Sequence, residues 1–455
     1  MKTFYFSAIN LWCSKNLVDL EFMIWNIFNL SSEVEIKFFP VPEEKQVEYI
    51  IINTCWFLSS SRQEAEETIK EFDDMWKKII VMWCYAEVKD DVFLSNLKNL
   101  HAVIPHFDSK NLDLIFKSKS LLTLKEKLEN SKNDTIRNFL KNIGWDRTST
   151  KAFVWNSSDQ RAYFNTDYWF EYLKIAEWCD NNCTFCIIPN IRWRQKSRTI
   201  EDIIKEVNTM ISSWIKEIEI ISQDTTRYWT DLYDWNSKLL DLLEEIDKVP
   251  GDFKYRLFYM YPDTMTLEHL DRLKNLKKLL PYFDIPFQHI SPNVLKKMWR
   301  FYNDEHIFKL LDYIKQNFKD AFLHTNFIVW FPWETTSDFE MLKDFAKKYR
   351  FDSVSMFGYH DEVLATSYKL PDKIDDETIN SRVLELREIL EEIYDEKYDQ
   401  RFWKKLVWYV HDYNDKKVSI RQEIMAPEID EYDVVSYKNI ISWEIEIWEK
   451  VEYKL

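Results

Sequence analysis

Residues 176–186 read Ala-Glu-Trp-Cys-Asp-Asn-Asn-Cys-Thr-Phe-Cys and set Cys179, Cys183 and Cys186 in the spacing C-x3-C-x2-C. Thiolates this close in sequence can wrap one iron–sulfur cubane, whereas zinc usually takes four donors as two separated pairs. Three local cysteines leave one iron of a 4Fe–4S cluster without a protein ligand, open to a substrate or cofactor. Three incidental buried thiols are the alternative, which the tight spacing directly after a strand-length run disfavours.

That run, "YLKIAE" at 172–177, is the first of six apolar segments of strand length; the others are "KEIEIIS", "YRLFYMY", "YFDIPFQ", "AFLHTNFIV" and "DSVSMFGY". Amphipathic helical stretches such as "TIEDIIKEVNTMI" and "TSDFEMLKDFAKKY" separate them, and "ETINSRVLELREILEEIYDEKYDQRF" closes the series. Six βα units predict a (β/α)6 partial barrel over 165–395, with chemistry on the loops that follow the strands.

Upstream, "KTFYFSAI", "VEYIIINT" and "KKIIVMW" each lead into a cysteine: Cys13, Cys55 and Cys84. Alternation with helical sequence predicts an open parallel α/β domain over 1–118, whose sites form outside the carboxyl ends of its strands. Three thiols distant in sequence then converge on one sheet edge. Residues 119–164 are polar and read as a linker with some helix. From 398 to 455 the β-rich runs alternate, which predicts a small antiparallel barrel.

No stretch has a signal peptide's apolar core and cleavage site, and no run approaches the roughly 18 apolar residues of a membrane span, so a cytoplasmic protein without membrane contact is expected. The net charge of −16 disfavours non-specific binding to nucleic acid and suits a basic partner, or simply keeps the chain dispersed. Six cysteines in a chain of 455 residues point to metal or redox chemistry rather than disulfides.

Glycine occurs 3 times and tryptophan 20 times, although ordinary domains carry roughly 7% glycine for turns with positive φ. Tryptophan stands where glycine is expected in "FPWETT", "TRYWTDLY" and "KMWRF", and Trp12, Trp56, Trp83 and Trp178 abut cysteines. The expectation is that UGA codons meaning glycine have been translated as tryptophan; UGG at these positions would end it.

C-x3-C-x2-C with an aromatic, Phe185, before the last cysteine resembles the signature of radical S-adenosylmethionine enzymes. "NLWCSKNLVDLE", "INTCWFLSSSRQEA" and "VMWCYAE" resemble the three cysteine motifs of the methylthiotransferase family. "KIAEWCDNNCTFCIIPNIRWRQKSR" resembles its radical segment, and the C-terminal region a TRAM domain. The resemblance spans nearly the full chain and implies two 4Fe–4S clusters. Cys179, Cys183 and Cys186 would hold the one whose open iron binds the amino and carboxylate groups of S-adenosylmethionine. Electron transfer would then release a 5′-deoxyadenosyl radical. Cys13, Cys55 and Cys84 would hold a second cluster, whose open iron carries the sulfur to be inserted.

Two substrates fit the family: an adenosine in tRNA, or an aspartate β-carbon in small-subunit ribosomal protein S12. "SKNLVDLE", "SQDTTRYWTDLY", "PYFDIPFQHISPNVLKKMWR" and "MAPEIDEYDVV" resemble the ribosomal-protein branch more closely. Residues 398–455 carry 9 Lys and Arg against 12 Asp and Glu, which suits a basic protein better than tRNA. A sulfur donor and an electron donor are further expected partners. A non-catalytic iron–sulfur protein is the alternative from another class.

Phe185, Gln223 and Gln288 are candidates for the S-adenosylmethionine pocket; Asp224 and His289 also sit at expected strand ends, where a structural role is the stronger reading for any one of them. "TNFIVWFPWETTSDF" resembles a cofactor-facing segment. "IRWRQKSR" at 191–198 is expected to be a solvated turn rather than an anion site. The eight histidines lack metal-ligand spacing.

Overall fold

The computed structural model describes residues 3–11, 13–29, 35–39, 41–88, 91–104, 169–191, 194–232, 236–402, 408–413, 417–430, 433–436 and 450–451. The chain forms two compact units, 1–165 and 166–455. The expected linker, 119–164, lies outside the described residues.

The first unit is a five-stranded parallel sheet of β1 (Thr3–Asn10), β2 (Glu35–Phe38), β3 (Tyr49–Thr54), β4 (Lys78–Trp83) and β5 (Leu100–Ile104), in the order β2-β1-β3-β4-β5. Every residue of β3 is buried, because a parallel sheet is covered on both faces. The strand period of two sorts the core. Ile51, Ile80 and Met82 pack with Leu20, Met23 and Ile24 of the helix Ser14–Asn29. Ile50, Ile52, Ile79 and Val81 pack with Ala65, Ile69 and Phe72 of the helix Ser59–Asp74. The strand order reverses between β1 and β3, which opens a crevice at their carboxyl ends.

The second unit contains β6 (Phe170–Lys174), β9 (Glu217–Ile221), β10 (Lys254–Leu257), β11 (Leu279–Asp284), β12 (Phe322–Val329) and β13 (Ser353–Gly358), paired in chain order and all parallel. All six expected strands are present. Between β6 and β9 lies a two-stranded ribbon, β7 (Ala176–Glu177) against β8 (Lys196–Ser197). Helix starts are fixed locally. Thr199 accepts from the Asp202 N–H to begin Ile200–Ser212, and Thr335 and Asp338 form a reciprocal capping box at Thr336–Tyr349.

The helix Asp376–Phe402 leads to an antiparallel sheet of β14 (Trp408–Tyr413), β15 (Lys417–Gln422), β16 (Asp433–Ser436) and β17 (Lys450–Val451). Much of the last expected runs lies outside the described residues, and with it the closure into a barrel. This sheet is joined to the parallel one by buried charge. Arg421 of β15 bonds Glu217, the first residue of β9, at 2.6 Å, and Arg256 of β10 bonds the Glu423 carbonyl at 2.9 Å. Among the described residues no helix is long and apolar enough to cross a membrane.

Candidate metal centres at the strand ends

In the first unit Cys13 follows β1, Cys55 follows β3 directly, and Cys84 begins the short helix after β4. The sheet order thus sets two of the three thiols on either side of the crevice and the third one strand away. They are close enough to interact: burial, and then the Cys13 and Cys84 thiols, push the Cys55 thiol up to about 12. A thiol raised in this way needs a cationic metal to become a thiolate.

A layer of buried amides holds the three segments together. Asn16 donates to the Thr54 carbonyl at 2.9 Å and approaches the Cys84 sulfur at 4.0 Å. Asn53 donates to the Asn10 side chain at 2.7 Å and also to the Asn16 carbonyl. Thr54 donates to the Met82 carbonyl at 2.6 Å and accepts from the Tyr85 N–H at 3.2 Å. Sequence reasoning missed Asn10, Asn16 and Asn53 as positioning residues. The signal was Asn10 and Asn53 at the apolar strand ends before Cys13 and Cys55, with Asn16 just after Cys13, where a buried polar side chain needs partners.

In the second unit the triple-cysteine loop leaves β7 and is fastened along its length. The Cys186 N–H donates to the Cys183 carbonyl at 3.0 Å. Thr184 is held by the Met298 carbonyl at 3.1 Å and the Lys297 carbonyl at 2.8 Å. Asn181 donates to Asp224, after β9, at 2.6 Å, and Asp180 accepts from the Gln195 N–H at 2.9 Å. Burial, and then Cys183, push the Cys186 thiol up to about 12; burial and Asp224 raise Cys179. Both triads therefore fit a cluster by donor chemistry. No three His, Cys, Asp or Glu among the described residues close around a single metal ion. Ligands that each take a different iron of a cubane are more widely spread than donors around one ion.

Phe185 packs against Val294, Met298, Phe331 and Tyr359, with the Arg300 guanidinium 5.6 Å from its ring. It forms an apolar wall beside the cysteines. Gln223 follows β9, and its buried Oε1 has no hydrogen-bond partner among the described residues, as an acceptor kept for a ligand would. Gln288 is tied by its backbone, donating to the Asn326 carbonyl and accepting from the Ile328 N–H, both at 2.8 Å. His289 is fully buried, accepts from the Ser291 N–H at 3.0 Å and lies 3.7 Å from Glu334. Glu334 in turn accepts from the Trp330 and Phe331 N–H groups at 2.6 and 3.1 Å. These two residues brace the turn after β12.

The expected solvated turn at 191–198 needs correction. Arg198 is 3% exposed, paired with Glu206 at 2.6 Å and Asp202 at 2.7 Å, and Gln195 and Ser197 are also buried. The segment folds back as β8 against the strand that feeds the cysteine loop, so the Arg198 charge is consumed internally, while Arg194 stays exposed.

The model of the radical SAM superfamily matches residues 173–346, and that of the uncharacterized protein family UPF0004 matches 6–105. The chain is 34% identical to the ribosomal protein uS12 methylthiotransferase RimO of Clostridioides difficile, over 92% of this chain and 86% of the relative. It is 36% identical to RimO of Dictyoglomus thermophilum (81% and 78%) and 35% identical to RimO of Aquifex aeolicus (93% and 89%). Its fold is similar to that of the radical S-adenosylmethionine methyltransferase TsrM from Kitasatospora setae, with a TM-score of 0.53 at 12% identity over 79% of this chain and 75% of that one.

Proposed function

The chain belongs to the family of ribosomal protein uS12 methylthiotransferases, and from that premise we propose that it inserts a methylthio group at the β-carbon of an aspartate in ribosomal protein S12. It is a radical S-adenosylmethionine methylthiotransferase, with S-adenosylmethionine and 4Fe–4S clusters as cofactors. The observation that carries the proposal is two cysteine triads, one at the carboxyl ends of β1, β3 and β4, the other on the loop after β7 that is tied to the end of parallel strand β9.

Cys179, Cys183 and Cys186 would hold one cluster, and Cys13, Cys55 and Cys84 the other. When bound, these groups and S-adenosylmethionine supply one-electron chemistry able to remove hydrogen from an unactivated carbon, together with a site that carries sulfur. The chain's own residues orient and shield that chemistry. Asn181 and Asp224 fix the cysteine loop to the strand end, so a ligand meets a preset surface. Phe185, packed with Met298 and Phe331, supplies an apolar surface next to Cys186. Gln223 offers a desolvated acceptor to a donor group of the cofactor.

A sulfur donor and a reductant are required as partners. The acidic balance of residues 398–455, 9 basic against 12 acidic side chains, supports a basic protein substrate over tRNA. Mass spectrometry of S12 and of tRNA from cells with and without the gene tests the assignment. Loss of a methylthio group from S12 is expected. Loss of a tRNA base modification with S12 unchanged would overturn it.

A further inference from the structure

Fifteen described non-glycine residues have φ between 46° and 79°, and eight of them are tryptophan. Tryptophan is 20 of 455 residues, so its share of the chain would place about one there. Left-handed backbone crowds Cβ against the following carbonyl, and the few residues that tolerate it are glycine, then asparagine and aspartate. An indole is among the least suited of side chains.

Three of the eight share one motif. Trp76, Trp214 and Trp299, at φ 59°, 68° and 60°, each stand one residue past a helix cap. After Ser59–Asp74, Trp76 donates to the Asp73 carbonyl at 3.1 Å and Lys77 to the Phe72 carbonyl at 3.1 Å. After Ile200–Ser212, Trp214 donates to Ile211 at 3.2 Å and Ile215 to Met210 at 3.1 Å. After Pro292–Lys297, Trp299 donates to Lys296 at 3.3 Å and Arg300 to Leu295 at 2.9 Å. Each pair is the double bond of a Schellman stop, whose left-handed residue is ordinarily glycine. The indoles contribute little in return, being 74%, 75% and 52% exposed.

The other five lie at strand ends and in the loops that follow them. Trp83 (φ 69°) and Trp178 (φ 63°) immediately precede Cys84 and Cys179, where the backbone must turn to present a thiol. Trp330 and Trp333 (φ 66° and 71°) bound the Glu334 turn after β12, and Trp229 (φ 79°) follows the short turn Thr225–Arg227. Trp330 is buried with its Nε1 lacking an acceptor among the described residues, a cost that a glycine would not incur. Trp56, which also abuts a cysteine, is outside the left-handed set and packs edge-on against Tyr85, so nothing here rests on it.

We infer that the working protein carries glycine at Trp76, Trp83, Trp178, Trp214, Trp229, Trp299, Trp330 and Trp333, through UGA codons that its own translation reads as glycine. At the two metal centres the consequence is direct. The residue before Cys84 and the residue before Cys179 present bare backbone, not an indole, to whatever the thiols hold. The inference stands apart from the proposed substrate.

Peptide mass spectrometry of the protein isolated from its own cells, with the codons read from the gene, tests it. Glycine at these positions, encoded by UGA, is expected; tryptophan at them overturns the inference. A second test uses the chain as written, made with tryptophan throughout. Replacing Trp76, Trp214 or Trp299 by glycine should raise the folded-to-unfolded ratio about fivefold per site, while alanine, which keeps Cβ, should not. Equal effects of glycine and alanine, or destabilisation by glycine, overturn the inference, since then the left-handed backbone is not what tryptophan strains.

Discussion

Asn181 donates a 2.6 Å hydrogen bond to Asp224, linking the loop that carries Cys179, Cys183 and Cys186 to the end of the neighbouring strand β9. Asp224 is 3% exposed and also accepts from the Thr226 N–H at 3.0 Å. Asp224→Ala leaves the Asn181 amide without its acceptor, at a cost of about 1–3 kcal/mol concentrated on the loop. The expected outcome is weaker retention of iron by the second unit under a chelator, with the melting temperature little changed. Unaltered iron retention would show that the loop is held by its other bonds.

The two triads should separate by function. A chain with Cys13, Cys55 and Cys84 replaced by alanine should still form 5′-deoxyadenosine from S-adenosylmethionine under reducing, anaerobic conditions, but transfer no methylthio group. Replacing Cys179, Cys183 and Cys186 should abolish both activities. Asn16→Ala should mimic the first set in part, by loosening the bridge from the helix Ser14–Asn29 to Thr54 and Cys84. Iron content and product analysis on the three chains decide the matter.

The charge cluster that joins the two sheets of the second unit is buried. Arg256 pairs with both Glu217 and Glu219, and Arg421 with Glu217. Burial opposes the Glu217 charge, but the two guanidinium groups hold its carboxyl below the usual range. Burial, with the Glu217 charge adding to it, drives Glu219 well above that range despite Arg256. Arg421→Ala should cost about 1.5–3 kcal/mol, because Glu217 keeps Arg256 but loses a buried hydrogen bond between charged groups. Denaturant unfolding measures this. Adding Glu217→Gln should recover part of the loss, and additive losses would mean the pair is not coupled.

His324 on β12 bonds Asp284 at 2.8 Å and Ser355 at 3.1 Å while almost fully buried. Burial alone would lower its pKa, but the Asp284 carboxylate more than offsets this and raises it above the ordinary 6.5. The folded state then binds the proton more tightly than the unfolded chain. The pair's contribution is complete below pH 6.5 and is lost as pH rises through the raised value. His324→Gln should remove that decline, whose slope for one proton is at most about 1.4 kcal/mol per pH unit. Melting temperatures of both chains across pH 6 to 9 provide the check, and parallel curves would refute it.

The cysteine spacing, the alternation of strand and helix and the six-strand count of the second unit were legible in the sequence, because each is set by neighbours within a few residues. The short apolar runs that lead into Cys13, Cys55 and Cys84 placed these residues at strand ends without showing how the strands are ordered. The three tryptophans of "FPWETT", "TRYWTDLY" and "KMWRF" were legible as misfits for the same local reason, and all three have left-handed φ.

Tertiary structure decided the rest. The order β2-β1-β3-β4-β5 brought the first triad to one crevice, and it aligned Asn16 and Asn53 behind the thiols across more than 30 residues of chain. Folding back of β8 onto β7 also reversed the reading of Arg198, which looks solvated in a basic run but is buried, donating to the Lys174 carbonyl and paired with Glu206 and Asp202. Arg421 meets Glu217 across 204 positions, a contact that no local pattern encodes. Local spacing thus set which atoms are available for chemistry; sheet order and burial set which of them meet and which charges survive.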